Sequence, residues 1–78
     1  MPELAFVLIS LDRSTPADVA RLVRALPGVH TAHAVMGEFD VVAVIHANAT
    51  REIASLVEAH IRTMEGVARV ITCVAVPT

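Results

Sequence analysis

Apolar residues follow two different patterns along the chain, and the two patterns alternate. Continuous runs of branched aliphatic residues are typical of strands that are buried on both faces. Apolar residues at positions i, i+3, i+4 and i+7 are typical of a helix with one apolar side. The patterns predict six elements in the order β-α-β-β-α-β. The predicted strands span residues 4–11, 29–36, 40–47 and 67–76, and the predicted helices span residues 15–26 and 50–64.

The first predicted helix has recognisable start and stop signals. Thr15 can cap its N-terminus, and Pro16 suits the first helical position. Asp18 places a carboxylate near the free backbone amides of the first turn. The Pro-Gly pair at residues 27–28 ends the helix. Its predicted apolar stripe consists of Val19, Leu22, Val23 and Leu26.

The second predicted helix follows the same logic. Asn48 and Thr50 supply capping oxygens, and Glu52 lies in the first turn. Helix exits of similar sequence, Leu-Pro-Gly-Val at 26–29 and Met-Glu-Gly-Val at 64–67, form a weak internal repeat. The predicted apolar stripe of this helix consists of Ile53, Leu56, Val57, Ile61 and Met64.

The order of elements predicts a fold. Two βαβ halves joined by a hairpin form the ferredoxin-like motif. We therefore predict an α+β fold over residues 1–78, in which a four-stranded antiparallel sheet carries both helices on one face, as in dimeric α/β barrels. Residues 37–39 are predicted to connect the second and third strands as a tight hairpin, in which Gly37 can take a positive φ.

The first and third strands are apolar on both faces. In residues 4–9 and in residues 41–45, the side chains that point to one face and those that point to the other are all apolar. A sheet with one face in water should alternate apolar and polar residues. The sequence therefore predicts that a second subunit covers the face without helices.

Composition and charge exclude several classes of function. Of the 78 residues 55% are hydrophobic, the formal net charge is −2, and all six basic residues are arginine. Without a basic patch, we expect no direct nucleic-acid binding. The apolar runs are too short to span a membrane. The lone cysteine, Cys73, cannot form an internal disulfide, which fits a reducing cytoplasm. It is predicted to be a buried strand residue.

Four histidines raise the question of a metal site. His30 and His33 are three apart on a strand, which places them on opposite faces. His30 and His46 lie opposite each other if the hairpin connection has three residues. Since no cysteine or carboxylate completes a ligand set at recognisable spacing, we predict no metal site and no cofactor. His60 is predicted to pack beside the stripe of the second helix.

Three segments in order resemble the effector-binding half of Lrp/AsnC regulators, also called the RAM domain. They are Leu-Pro-Gly-Val at 26–29, Val-Met-Gly-Glu-Phe-Asp-Val-Val at 35–42, and Glu-Gly-Val-Ala-Arg-Val-Ile-Thr at 65–72. The resemblance extends over residues 4–76. It implies the same fold, dimers packed through their sheets, closed rings of about four or five dimers, and amino-acid effectors bound between dimers.

The resemblance also implies where the effector binds. Its candidate residues are those of the hairpin and one residue of the last strand: Met36, Gly37, Glu38, Phe39, Asp40 and Thr72. Asp40 can receive the ammonium group, while hairpin amides and the Thr72 hydroxyl can meet the carboxylate. The alternatives are that Asp40 only completes a turn and that Thr72 only packs within its strand. Phe39 stands where tyrosine is commoner in the family, so a hydroxyl is lost.

The predicted function is an amino-acid sensing and oligomerisation module. Full-length family members carry an N-terminal helix-turn-helix domain, whereas this sequence begins at the first strand of the effector domain, so we expect no DNA-binding domain. Its expected partners are further copies of itself, a free amino acid and a full-length regulator. A ligand-free assembly module and a small ferredoxin-like enzyme remain as alternatives, but no nucleophile–base pair supports catalysis.

Overall fold

A computed structural model describes residues 3–78, and the elements follow in the predicted order. The second helix is shorter than predicted, and it continues as a π-helical turn. No helix within residues 3–78 is long and apolar enough to cross a membrane. The elements are β1 (Glu3–Leu11), α1 (Pro16–Arg24), β2 (Val29–Ala34), β3 (Val41–Ala47), α2 (Thr50–Leu56), the π turn (Val57–Ile61) and β4 (Val67–Val74).

The four strands form one antiparallel sheet in the order β2-β3-β1-β4, which confirms the ferredoxin-like prediction. The two most apolar strands, β1 and β3, therefore lie in the centre. Their register places Val7 opposite Ala43 and Ile9 opposite Val41. Because facing residues of paired strands share one face, these residues form a continuous apolar layer.

Both helices cover that layer from one side. In β1 and β3, every second residue from Ala5 to Ile9 and from Val41 to Ile45 is buried there. The helices contribute the other side of the core, and the stripe of the second helix is confirmed. The buried helical residues are Val19, Ala20, Val23, Ile53, Val57 and Ile61, with Leu26, Leu56 and Met64 half-buried beside them.

The first helix differs from its prediction in three details. The backbone carbonyl of Thr15, rather than its hydroxyl, accepts the first helical N–H groups, at 3.0 Å from Asp18 and 3.1 Å from Val19. The Asp18 carboxylate pairs with Arg21 one turn along the helix. Leu22 is 58% exposed, because Ala20 takes its place in the stripe that faces the sheet.

The second helix departs further from a regular helix. Ala49 is its capping position, and the Glu52 carboxylate accepts the backbone N–H of Asn48 at 3.0 Å. The backbone N–H of Arg62 reaches back five residues to the carbonyl of Val57 at 2.8 Å, which is the π-helical bond. Single π turns inside helices are frequent at functional sites.

The face of the sheet opposite the helices, called the open face below, is uncovered within residues 3–78. It carries the alternate residues of each strand, including Leu4, Leu8 and Val44, which are half-buried, and Phe6, which is 40% exposed. Cys73 lies on this face opposite Phe6 and is exposed, so the prediction of a buried cysteine is wrong for the single chain. The predicted pattern of two apolar faces is confirmed.

Glycines allow the two helix exits of the internal repeat to turn. Gly28 and Gly66 have φ of +95° and +88°, a region that residues with a side chain rarely adopt. At Gly66 the exit also contacts the loop after β1. Its carbonyl accepts the N–H of Asp12 at 2.9 Å, and the Ser14 hydroxyl donates to the Glu65 carbonyl at 3.0 Å. This contact fastens one end of the β1–β4 pair, where β1 ends and β4 begins.

We expect Gly66→Ala to destabilise the fold by about 2–4 kcal/mol, from backbone strain and steric overlap together. A Cβ atom there would lie 1.9 Å from Ser14 Oγ and 2.7 Å from Ser14 Cβ, and rotating the serine side chain does not move its Cβ atom, so the overlap remains. At Gly28 a Cβ would meet its nearest atom at 3.7 Å. Gly28→Ala is therefore the control, with a loss of about 1–2 kcal/mol from strain alone. Equal losses in urea unfolding would contradict the proposed overlap.

Candidate functional site

The β2–β3 hairpin is longer than predicted. β2 ends at Ala34 and β3 begins at Val41, so the connection is residues 35–40 and not residues 37–39. The N–H of Val35 donates to the carbonyl of Asp40 at 2.9 Å and closes the loop. Gly37 has a φ of +151°, so the predicted positive φ is confirmed. Met36 is fully exposed at the tip of the loop.

Asp40 ties this hairpin to the centre of the sheet. Its Oδ2 atom accepts the backbone N–H of Leu11 at 2.8 Å, and its own N–H donates to the carbonyl of Ile9 at 2.9 Å. The Asp40 side chain therefore stabilises a contact between distant parts of the chain, while its backbone carbonyl closes the hairpin. A carboxylate can accept several hydrogen bonds, so this contact leaves it able to accept another donor.

Phe39 lies at the base of the hairpin, directly before Asp40. The ring is half-buried, and the guanidinium carbon of Arg69 lies 5.5 Å from its centroid. Arg69 belongs to β4 and lies opposite Ser10 on the open face. This cation–π contact links β4 to the hairpin.

Thr72 lies elsewhere, in a cleft between the second helix and β4. It is opposite Val7 in the register, which places it on the helix-bearing face, and it is exposed because the helices leave this part of β4 uncovered. The cleft, called the α2–β4 cleft below, has a volume of about 340 Å³. It is lined by Thr50, Ile53, Ala54, Val57, Glu58, Arg62, Thr72 and Val74.

The lining of the α2–β4 cleft combines charge, hydroxyl groups and apolar surface. Arg62 donates to Glu58 at 2.7 Å, and both side chains are at least half exposed. The Thr50 hydroxyl donates to Oε1 of Glu3 at 2.8 Å. Ile53 and Val57 are buried and form an apolar wall. A cation, an anion and hydroxyls beside apolar surface are the groups that a zwitterion with an apolar side chain requires.

The sequence prediction missed Glu58 and Arg62. Both lie in or next to the π turn, where the spacing of an ordinary helix does not apply. The available signal was an acid and a base four residues apart, which is also common on solvated helix faces. Glu58 and Arg62 become candidate binding residues only because the fold places them in one cleft with Thr72.

Within one chain, the hairpin and Thr72 do not come together. Asp40 comes directly before β3, whose first residue pairs with Ile9 of β1. Thr72 belongs to β4, which pairs with the other edge of β1, and it lies opposite Val7. Two strand spacings and three residues along the strand place their Cα atoms about 14 Å apart. Thr72 also points to the helix-bearing face, while Arg69 holds Phe39 at the open face.

The histidines are arranged differently from the prediction. A bulge between Val29 and Thr31 turns His30 onto the open face, where its ring stacks on that of His46 at 4.5 Å between centroids. His33 is opposite Val42 and shares this face, so the predicted opposite placement of His30 and His33 is wrong. His60 is exposed on the π turn. No three potential metal-binding side chains cluster within residues 3–78.

Comparison with known sequences places these features in context. The sequence model of the Lrp/AsnC ligand binding domain matches residues 4–78. An uncharacterized HTH-type transcriptional regulator of Pyrococcus furiosus is 34% identical over 77 residues, covering 95% of this chain and 51% of the regulator. The chain thus spans about half the length of this curated relative.

Solved structures agree with the sequence comparison. A protein of Thermus thermophilus has a TM-score of 0.90 and 29% identity, covering 97% of this chain and 95% of its own. A feast or famine regulatory protein of M. tuberculosis, complexed with L-methionine, has a TM-score of 0.78 and 28% identity. The match covers 97% of this chain and 51% of that protein.

We expect Asp40→Ala to lower the free energy of unfolding by about 1–3 kcal/mol, because the partly buried N–H of Leu11 loses its acceptor. Asp40→Asn keeps an oxygen at the same position, so it should lower the free energy of unfolding by less than about 1 kcal/mol. Urea unfolding of the two variants measures the difference. If alanine and asparagine were equally tolerated, the contact with Leu11 would not stabilise the fold.

Proposed function

The chain belongs to the Lrp/AsnC ligand-binding domain family, and on that premise we propose that it binds a free amino acid between copies of itself. In this proposal it is a sensing and assembly module for transcription regulation, and it is not an enzyme. It works without a cofactor and does not bind nucleic acid directly. A full-length regulator with a helix-turn-helix domain is its proposed partner.

The first step of the proposed assembly is a dimer formed through the open face. Leu4, Leu8 and Val44 are only half-buried in the single chain, and Phe6 is 40% exposed. Burying apolar surface stabilises by about 25 cal/mol per Å². A second copy presents the same apolar face, so a two-fold dimer satisfies both copies at once.

The second step brings the hairpin of one dimer to the α2–β4 cleft of another. The two surfaces differ and lie about 14 Å apart in the chain, so a contact between them is head-to-tail and closes into a ring when the rotation allows it. The hairpin presents Met36, which is fully exposed, together with Glu38. The cleft offers apolar walls and Arg62. A ring of about four or five dimers is proposed.

The proposed ligand lies where these two surfaces meet. Asp40 receives its ammonium group, while the Thr72 hydroxyl and the amides around Gly37 meet its carboxylate, with Arg62 nearby as a counter-charge. Ile53 and Val57 face the ligand's side chain. The observation that carries the proposal is the mixed lining of the α2–β4 cleft, and the relative complexed with L-methionine supports it.

We predict that Leu8→Asp prevents dimer formation, because it places a charge in the centre of the open face. Leu22→Asp is the control, since Leu22 is 58% exposed on α1, away from this face. Sedimentation equilibrium at micromolar concentration should show a folded monomer for Leu8→Asp and the wild-type mass for Leu22→Asp. A wild-type protein that is itself a folded 8.3 kDa monomer would rule out the dimer.

Met36→Asp is expected to break rings into dimers while leaving the fold and the dimer intact. The residue is fully exposed, so its replacement costs the single chain little. Val76→Asp is the matched control, because Val76 is 77% exposed in the tail after β4. Light scattering measures the mass. An unchanged mass for Met36→Asp would remove the hairpin tip from the contact between dimers.

A thermal-shift screen against the twenty amino acids should identify a stabilising ligand. For that ligand, Asp40→Asn is expected to weaken binding by about 10–150-fold, since a charge-assisted hydrogen bond contributes roughly 1.5–3 kcal/mol. Asp18→Asn on the exposed side of α1 is the control. Calorimetric titration measures the affinities. Equal affinities would exclude Asp40 from the site, and no response to any amino acid would favour a ligand-free assembly module.

A further inference from the structure

The stacked histidines form a titratable cluster that the proposed amino-acid site does not use. His30 and His46 come from neighbouring strands, and the bulge in β2 brings their rings within 4.5 Å at an interplanar angle of 11°. Both side chains are exposed in the single chain. The pair lies on the open face, with Leu4 of β1 opposite His46.

The charged groups around this pair leave it without a counter-ion. The ion pairs within residues 3–78 are Asp18–Arg21 and Glu58–Arg62, so neither imidazole has a carboxylate within 4 Å. The carboxylate of Glu3, at the adjoining register position, accepts a hydrogen bond from Thr50 instead. The other titratable groups on the open face are His33 of β2, and Arg69 and Cys73 of β4.

Parallel imidazoles at this distance tolerate one proton between them better than two. A neutral ring can stack on a protonated one, whereas two protonated rings repel each other at close range. A second copy laid on the open face also removes water from the pair, and desolvation disfavours the charged form. Histidine is the side chain whose ordinary titration falls between pH 5 and 8.

We propose that the His30–His46 stack is a proton-sensitive contact within the open-face dimer, so that acidification releases the subunits. This inference rests on the dimer of the proposed function, but it does not require an amino-acid ligand. The assembled dimer holds fewer protons than two separate chains. The dimer is therefore stable at neutral pH, and it loses this stability as the pH falls and the pair becomes doubly protonated.

The test is sedimentation equilibrium of the full chain between pH 7.5 and pH 5.5. For the wild type, the dimer dissociation constant should rise by about tenfold or more over this range. His46→Gln and His30→Gln, which cannot carry the charge, should reduce the change to less than about threefold. His60→Gln on the π turn, which lies away from the open face, is the control and should keep the wild-type dependence.

A wild-type dissociation constant that is the same at pH 7.5 and pH 5.5, or a pH dependence that both His30→Gln and His46→Gln retain in full, would overturn the inference. A wild type that is monomeric at every pH would instead contradict the dimer on which it rests.

Discussion

The face of the sheet without helices is apolar, and the chain has nothing within residues 3–78 to place against it. Two helices cover one side of four strands, and the alternation of side chains makes the other side equally available. Because apolar surface left in water costs free energy in proportion to its area, this face favours association. The proposed dimer, the ring and the shared ligand site depend on that constraint.

Division of the site between two surfaces follows from the topology. β1 separates β3 from β4 in the sheet, so the residue before β3 and the middle of β4 cannot meet within one chain. Asp40 is bound to Leu11, and Thr72 faces the π turn on the other side of the sheet. Binding between copies would connect ligand occupancy to assembly, because each ligand would contact two subunits. Such coupling is reciprocal, so assembly would also favour ligand binding.

Much of the fold could be predicted from the sequence, since the strands and helices have clear apolar periods and glycines mark both helix exits. Errors arose where long-range contacts decide the local structure. Asp40 bonds to Leu11, and with the Val35–Asp40 bond it defines a hairpin longer than its turn residues suggested. The π turn changes the helical phase at Glu58 and Arg62, so helical spacing in the sequence could not predict that both residues line the α2–β4 cleft. A bulge, which has no distinct sequence signal, brings His30 beside His46.

Subunit mixing tests the central claim that the ligand site is shared between copies. Asp40→Asn changes the hairpin side and Arg62→Ala changes the cleft side, so each variant alone should bind the amino acid weakly. When the two are unfolded, mixed in equal amounts and refolded together, about one quarter of the sites should combine an intact hairpin with an intact cleft. Calorimetry should then recover wild-type affinity at about a quarter of the wild-type stoichiometry. A mixture that binds no better than the separate variants would contradict the shared site.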